Sequence, residues 1–173
     1  MTFSDDPLYL YSVMVNEEKT ERVYDPLSEY NEIRREVIDW VRDMANQLQI
    51  AKKTLHIAIM CIDRLMICKD VRKIYLIALV CLMIAAKYNE LERNLPSVYD
   101  YLRVSAGTLH CIGDEELKEW EIKVLEMLEW NITTTTSLDF AEVLLMVEDN
   151  NTTSLKSHTM KFLDLALEGM LLV

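Results

Sequence analysis

Glycine and proline are scarce, with 3 of each in 173 residues. Strand-rich folds draw their tight turns and bulges from these two residues, so the shortage argues against a sandwich or barrel and for long helices. Basic residues are also few: 18 Lys and Arg stand against 29 Asp and Glu, a formal net charge of -11, and no basic stretch exceeds a pair or two. Phosphate neutralisation supplies most of the affinity for nucleic acid, so no nucleic-acid partner is expected. A long apolar run is missing too. Ile74 to Ala86 is the longest, short of the roughly 18–20 residues that cross a bilayer, and no membrane span is expected. The opening residues, Met1 to Pro7, show no basic region followed by an apolar run, so no secretory signal is expected. Cys61, Cys68, Cys81 and Cys111 are then expected to stay reduced, three of them as small hydrophobes in apolar helical runs. The Asn-x-Thr sequons at Asn131, Asn150 and Asn151 become chance matches.

Catalytic signatures are absent from the sequence as well. His56, His110 and His158 are far apart, and the His110-Cys111 pair has no second Cys or His at zinc-ligand spacing. There is no glycine-rich phosphate loop and no nucleophile elbow. Glu115, Glu116 and Glu119 read as a solvated helix face rather than an acid/base pair. The expectation is a chain with no metal, no cofactor and no small-molecule ligand, and not an enzyme in its own right.

What the chain does have is apolar residues, 51% of the total, at helical spacing. Residues 7–19 form a short amphipathic helix with Leu8, Tyr11, Met14 and Val15 on one face. From Asn31 to Leu48, Ile33, Val37, Trp40, Val41, Met44 and Leu48 recur every three or four residues. Thr54 to Met66 carries Leu55, Ile59, Ile62 and Leu65, and the pattern breaks around Ile67 to Asp70. Val71 to Glu90 differs in kind, because Ile74 to Ala86 is apolar on every face; only a helix surrounded by neighbours tolerates that. A short helix near Ser97 to Arg103 has Ser97 as its cap, Asp114 caps a helix to Leu128, and Ser137 caps one to about Val147. The last segment, from about Thr152, ends inside the apolar run Met170 to Val173. The fold class is all-α: an N-terminal helix and connection over residues 1–30, a five-helix unit over 31–136, and over 137–173 the start of a second, incomplete helical unit.

Four phrases carry a family resemblance. They are Ile33 to Trp40; Thr54-Leu55-His56-Ile57-Ala58 with Ile62-Asp63-Arg64; Leu76 with Ala85-Ala86-Lys87-Tyr88; and Trp120-Glu121 leading to Leu128-Glu129-Trp130-Asn131-Ile132. Their order and spacing resemble the cyclin box across about 100 residues, and its five signature positions are filled by Arg34, Asp63, Leu76, Lys87 and Glu121. The helix ahead of the box resembles that of mitotic-type cyclins. Resemblance to cyclins implies a regulatory subunit that binds and activates a cyclin-dependent serine/threonine protein kinase as a heterodimer, in the nucleus or cytoplasm, during cell-cycle control. It implies a structural ion pair between Arg34 and Asp63, and a kinase-binding surface in which Lys87 and Glu121 are framed by Tyr88, Leu91, Leu125, Trp130 and Ile132.

The substrate-docking patch of many cyclins has the pattern Met-Arg-Ala-Ile-Leu with a Trp three residues on and a Gln on the third helix. Here the corresponding stretch is Ile33-Arg34-Arg35-Glu36-Val37 with Trp40 and Tyr75. The resemblance therefore implies a degenerate patch at Ile33, Val37, Trp40 and Tyr75, unsuited to the usual Arg-x-Leu peptides. Asn89 stands where an acidic residue is common, which bears on the choice of kinase. The alternative to a kinase activator is a cyclin-fold adaptor that scaffolds transcription-related proteins, although such proteins meet DNA through basic surfaces that this chain lacks.

Overall fold

The computed structural model describes residues 6–20, 28–65, 73–110, 112–132, 135–147 and 153–167, and every regular element among them is helical. In chain order these are α1 (Pro7–Thr20), α2 (Ser28–Gln47), α3 (Lys52–Leu65), α4 (Ile74–Asn89), α5 (Val98–Ser105), α6 (Asp114–Met127), α7 (Ser137–Val147) and α8 (Thr153–Leu167), with one 3₁₀ turn at Glu92–Asn94. They sort into two compact units: α2 to α6 form one, while α1, α7 and α8 form the other. The pattern break at residues 67–70 and the apolar run at 170–173 lie outside the described residues.

The five-helix unit is organised around α4. Ile74 and every residue from Leu76 to Ala86 are buried, and only the last turn, with Lys87 and Tyr88, comes out into solvent. Ala78, Cys81, Ala85 and Ala86 are fully buried, and their small side chains let the surrounding helices approach closely. α3 presents Leu55, Ile59, Ile62 and Leu65 to the core, and α2 presents Val37, Ile38, Val41, Met44 and Ala45. Those α2 positions follow the i, i+1, i+4, i+7, i+8 rhythm of one helical face. α3 is buried along most of its length, which includes His56, a packing residue.

With so little glycine, helix ends are closed by other residues. Ser97 caps α5 in a full capping box: its hydroxyl accepts from Asp100 N–H at 3.3 Å, and Asp100 Oδ2 accepts from Ser97 N–H at 3.0 Å. α2 ends in a Schellman turn, with Ile50 N–H on the Ala45 carbonyl at 2.9 Å and Gln49 on that of Asn46 at 3.2 Å. Gln49 takes the left-handed conformation (φ 56) that glycine usually supplies. Two expected caps move by one residue. Gly113, not Asp114, precedes α6, and Asp114 instead accepts from Lys118 at 2.7 Å within the helix. Thr136, not Ser137, caps α7: its hydroxyl accepts from Asp139 N–H at 3.2 Å, and Asp139 Oδ2 accepts from Thr136 N–H at 2.9 Å. Composition names the cap type, but only the backbone decides which neighbour is the last non-helical residue.

In the other unit, Asp6 caps α1 through Leu8 N–H at 3.0 Å, with Pro7 in the first helical position where its missing N–H costs nothing. Tyr11 meets Phe140 of α7 edge to face, with ring centroids 6.0 Å apart. Of the face expected on α1, Leu8 and Tyr11 are exposed, at 65% and 39%, while Met14 and Val15 are half-buried.

Burial pushes the Cys61 thiol up to about 11, and the Cys81 thiol, wholly enclosed, is pushed well above its ordinary value. Both therefore remain protonated at pH 8. Iodoacetamide at that pH is expected to leave Cys61 and Cys81 unmodified in the native protein and to alkylate both in urea, as read by peptide mapping.

Candidate functional site

The residues expected to bind a partner come from the last turn of α4, from the middle and last turn of α6, and from the segments that follow both helices. Lys87, in the last turn of α4, is a cation at the negative end of the helix dipole. Its ammonium donates to both oxygens of Glu121 on α6, at 2.5 and 2.7 Å. The side chains are 44% and 18% exposed, so the pair lies at the surface with the lysine outermost. An ammonium has three protons and two are used here, while the carboxylate keeps lone pairs. One donor and one acceptor are thus on offer at a single spot.

Apolar side chains are exposed on the segments that carry or follow these two residues: Tyr88 is 52% exposed, Leu91 59% and Trp130 65%. Leu125 and Ile132 are half-buried. Ile122, next to Glu121 on α6, is also exposed and was missed, since an isoleucine within a helical apolar pattern reads as core. Trp120 lies between two lysines, with Lys73 Nζ 4.7 Å and Lys123 Nζ 5.1 Å from the ring centroid, which steadies the α6 turn carrying Glu121.

Trp130 is displayed by an unusual turn. α6 closes in a second Schellman motif, Trp130 N–H on the Leu125 carbonyl at 2.8 Å and Glu129 on that of Glu126 at 2.9 Å. Glu129 (φ 54) and Trp130 (φ 58) are both left-handed, and neither is glycine. Arg64 Nη1 donates to the Asn131 carbonyl at 2.9 Å and fixes the exit from this turn.

Arg34 and Asp63 meet as a fork: Nε to Oδ1 at 2.9 Å and Nη2 to Oδ2 at 2.8 Å, with both side chains mostly covered. The hydroxyl of fully buried Tyr30 donates to the same Oδ1 at 2.6 Å. Tyr30 escaped the sequence reading, although its place four residues before Arg34 puts both on one face of α2. The pair ties α2 to α3 and belongs to the frame rather than to any binding surface.

The expected docking patch needs a correction. Val37 is fully buried in the core and cannot line a surface, because the face of α2 that it shares with Val41 packs inward. Ile33, Trp40 and Tyr75 are half-buried. Trp40 and Tyr75 meet edge to face at 5.2 Å, Trp40 Nε1 donates to Thr108 Oγ1 at 3.0 Å, and Tyr75 donates to Glu36 at 2.7 Å. Burial and the Glu36 carboxylate push the Tyr75 phenol up to about 12, so it holds this bond across neutral pH. The aromatic pair is thus engaged with its own chain. Among the described residues no cluster of His, Cys, Asp and Glu could hold a metal ion, and no helix is long and apolar enough to cross a membrane.

The chain belongs to the cyclin family: residues 9–133 match the cyclin N-terminal domain. It is similar to the G2/mitotic-specific cyclin S13-6 of Glycine max, 28% identical over 146 residues that cover 80% of this chain and 30% of that protein. It is also similar to Cyclin-A1-2 of Arabidopsis thaliana, 32% identical over 110 residues (62% of this chain, 24% of that protein). With the G1/S-specific cyclin-D2 of Gallus gallus it is 30% identical over 115 residues (65% and 38%). The chain spans between 24% and 50% of the length of four mitotic-type and A-type curated relatives that it matches.

Two substitutions probe this geometry. Asp63→Ala removes the carboxylate that the Arg34 guanidinium and the Tyr30 hydroxyl share in a mostly covered site, and is expected to cost about 3 kcal/mol in urea denaturation. Glu129→Gly suits the left-handed position and is expected to leave stability unchanged or raise it by up to about 1 kcal/mol, whereas Glu129→Val should lower it by about 1–2 kcal/mol.

Proposed function

We propose that this chain is the regulatory subunit of a cyclin-dependent protein kinase, acting in cell-cycle control in the nucleus or cytoplasm. The observation that carries the proposal is the Lys87–Glu121 pair at the surface, with Tyr88, Leu91 and Trp130 exposed on the segments that carry or follow it. Tyrosine and tryptophan are favoured anchor types in protein interfaces, and charge-assisted bonds beside them set orientation. Lys87 has a proton left for a backbone carbonyl, and Glu121 has lone pairs left for a backbone N–H. An edge of partner backbone therefore satisfies both without breaking their own bond.

Kinase chemistry requires a strand lysine paired with a glutamate on a mobile helix, which must swing inward to make the pair. A subunit that binds only the inward state shifts the kinase population toward it by its difference in affinity for the two states. Such a subunit brings no catalytic group. The apolar anchors supply binding energy, and the ion pair fixes which face of the kinase helix is met.

Co-purification with a cyclin-dependent kinase, followed by titration of variants, tests the proposal. Lys87→Ala and Glu121→Ala are each expected to weaken binding by about 1.5–3 kcal/mol, and the double variant by less than their sum, since each single change leaves the other charge without its partner. A double variant that binds as the wild type does would contradict the proposal. Kinase that binds but gains no activity would point to the adaptor alternative instead.

A further inference from the structure

None of the residues named above for the binding face comes from α3, yet both halves of the face are fastened to it. The position before Lys52 is Ala51, whose methyl side chain offers no acceptor to the start of α3. A carboxylate reaches that end of the helix from Glu90, the residue that follows α4. Its Oε1 accepts from Ala51 N–H at 2.8 Å and from the Thr54 hydroxyl at 2.5 Å. Thr54 has given away its proton, so its oxygen is an acceptor, and Asn89 Nδ2 donates to it at 2.9 Å. An ionised acidic residue at position 89 could not make that bond. The carboxylate also suits the positive end of the α3 dipole.

Glu90 is extended (φ -82, ψ 154), and its N–H closes α4 on the Ala86 carbonyl at 2.8 Å. The hold on its side chain therefore fixes how the chain turns away between Tyr88 and Leu91. At the opposite end of α3, Arg64 in the last turn holds the carbonyl of Asn131, the residue between Trp130 and Ile132. Thr54 and Arg64 are separated by roughly 15 Å of helix, at 1.5 Å per residue.

We infer that Glu90 and Arg64 are positioning residues, and that α3 is a spacer of fixed length between two groups of anchors. It sets the distance between the Tyr88–Leu91 segment and the Trp130–Ile132 segment, and so the spacing of the sites they fill on the partner. The inference rests on the kinase-binding reading. Thr54 is fully buried and cannot touch a partner, so changing it acts on binding indirectly, and Glu90 and Asn89 are the residues bonded to its hydroxyl.

The experiment combines kinase affinity with amide hydrogen exchange of the free chain, at a temperature where circular dichroism shows every variant folded. Thr54→Val and Glu90→Ala are expected to weaken kinase binding about tenfold, the scale of one lost hydrogen bond to a charged group, and to speed exchange at the amides of Glu90 and Asn94. Arg64→Ala should weaken binding similarly but speed exchange at Trp130 and Asn131. Glu90→Gln keeps the acceptor and Arg64→Lys keeps a donor, so both should recover most of the affinity. A cap of purely structural value would lower the melting temperature while leaving the affinity of the folded protein and the local exchange pattern unchanged. That result overturns the inference, as does uniform exchange throughout. Should the Thr54 and Glu90 variants fail to fold, Arg64→Ala at the exposed bond still decides. Wild-type protein that binds no cyclin-dependent kinase would overturn the proposed function instead, and the exchange pattern, which needs no kinase, then decides the pinning alone.

Discussion

A helix with no polar face cannot sit on a surface, and α4 has none between Leu76 and Ala86. Its burial leaves the rest of the five-helix unit little freedom, because α2, α3, α5 and α6 each have to turn their own apolar side toward it. The same constraint decides where function can be placed. Only the last turn of α4 leaves the core, so the residues that follow Ala86 are carried to the surface on a helix that is buried along nearly all of its length.

Two ion pairs illustrate how setting changes the role of the same chemistry. Arg34 and Asp63 are mostly covered and forked, and the Tyr30 hydroxyl donates to the same carboxylate, so the bonding of the group is directed within the fold. Such a group holds two helices in register. Lys87 and Glu121 also contact through both carboxylate oxygens, but the lysine is close to half exposed. Water screens a pair of that kind, and its contribution to stability is small. What it supplies is an unsaturated donor and acceptor at the surface, with Tyr88, Leu91 and Trp130 exposed on the adjoining stretches of chain.

Much of this was legible in the sequence. The all-round apolarity of Ile74 to Ala86 identified the central helix, and three- and four-residue spacing located the others to within a few residues. Ser97 was readable as a cap because its partner Asp100 lies three residues on. The features that stayed hidden share a physical cause. Glu90 on Ala51 and Thr54, and Arg64 on Asn131, link residues 39, 36 and 67 positions apart, and no local pattern encodes such pairings. The left-handed Glu129 and Trp130 were hidden because glycine, the usual marker of that conformation, is absent there. Val37 was placed in the docking patch through the family resemblance, although its spacing with Val41 and Met44 already put it on the apolar face of α2.

Hydrogen exchange of the chain alone and in complex with an active cyclin-dependent kinase would locate the interface without any substitution. Slowed exchange confined to the ends of α4 and α6, at residues 87–95 and 121–132, is the predicted result. Protection that appears instead on the exposed side of α2 or on α8, with those two stretches unchanged, would contradict the assignment of the Lys87–Glu121 surface.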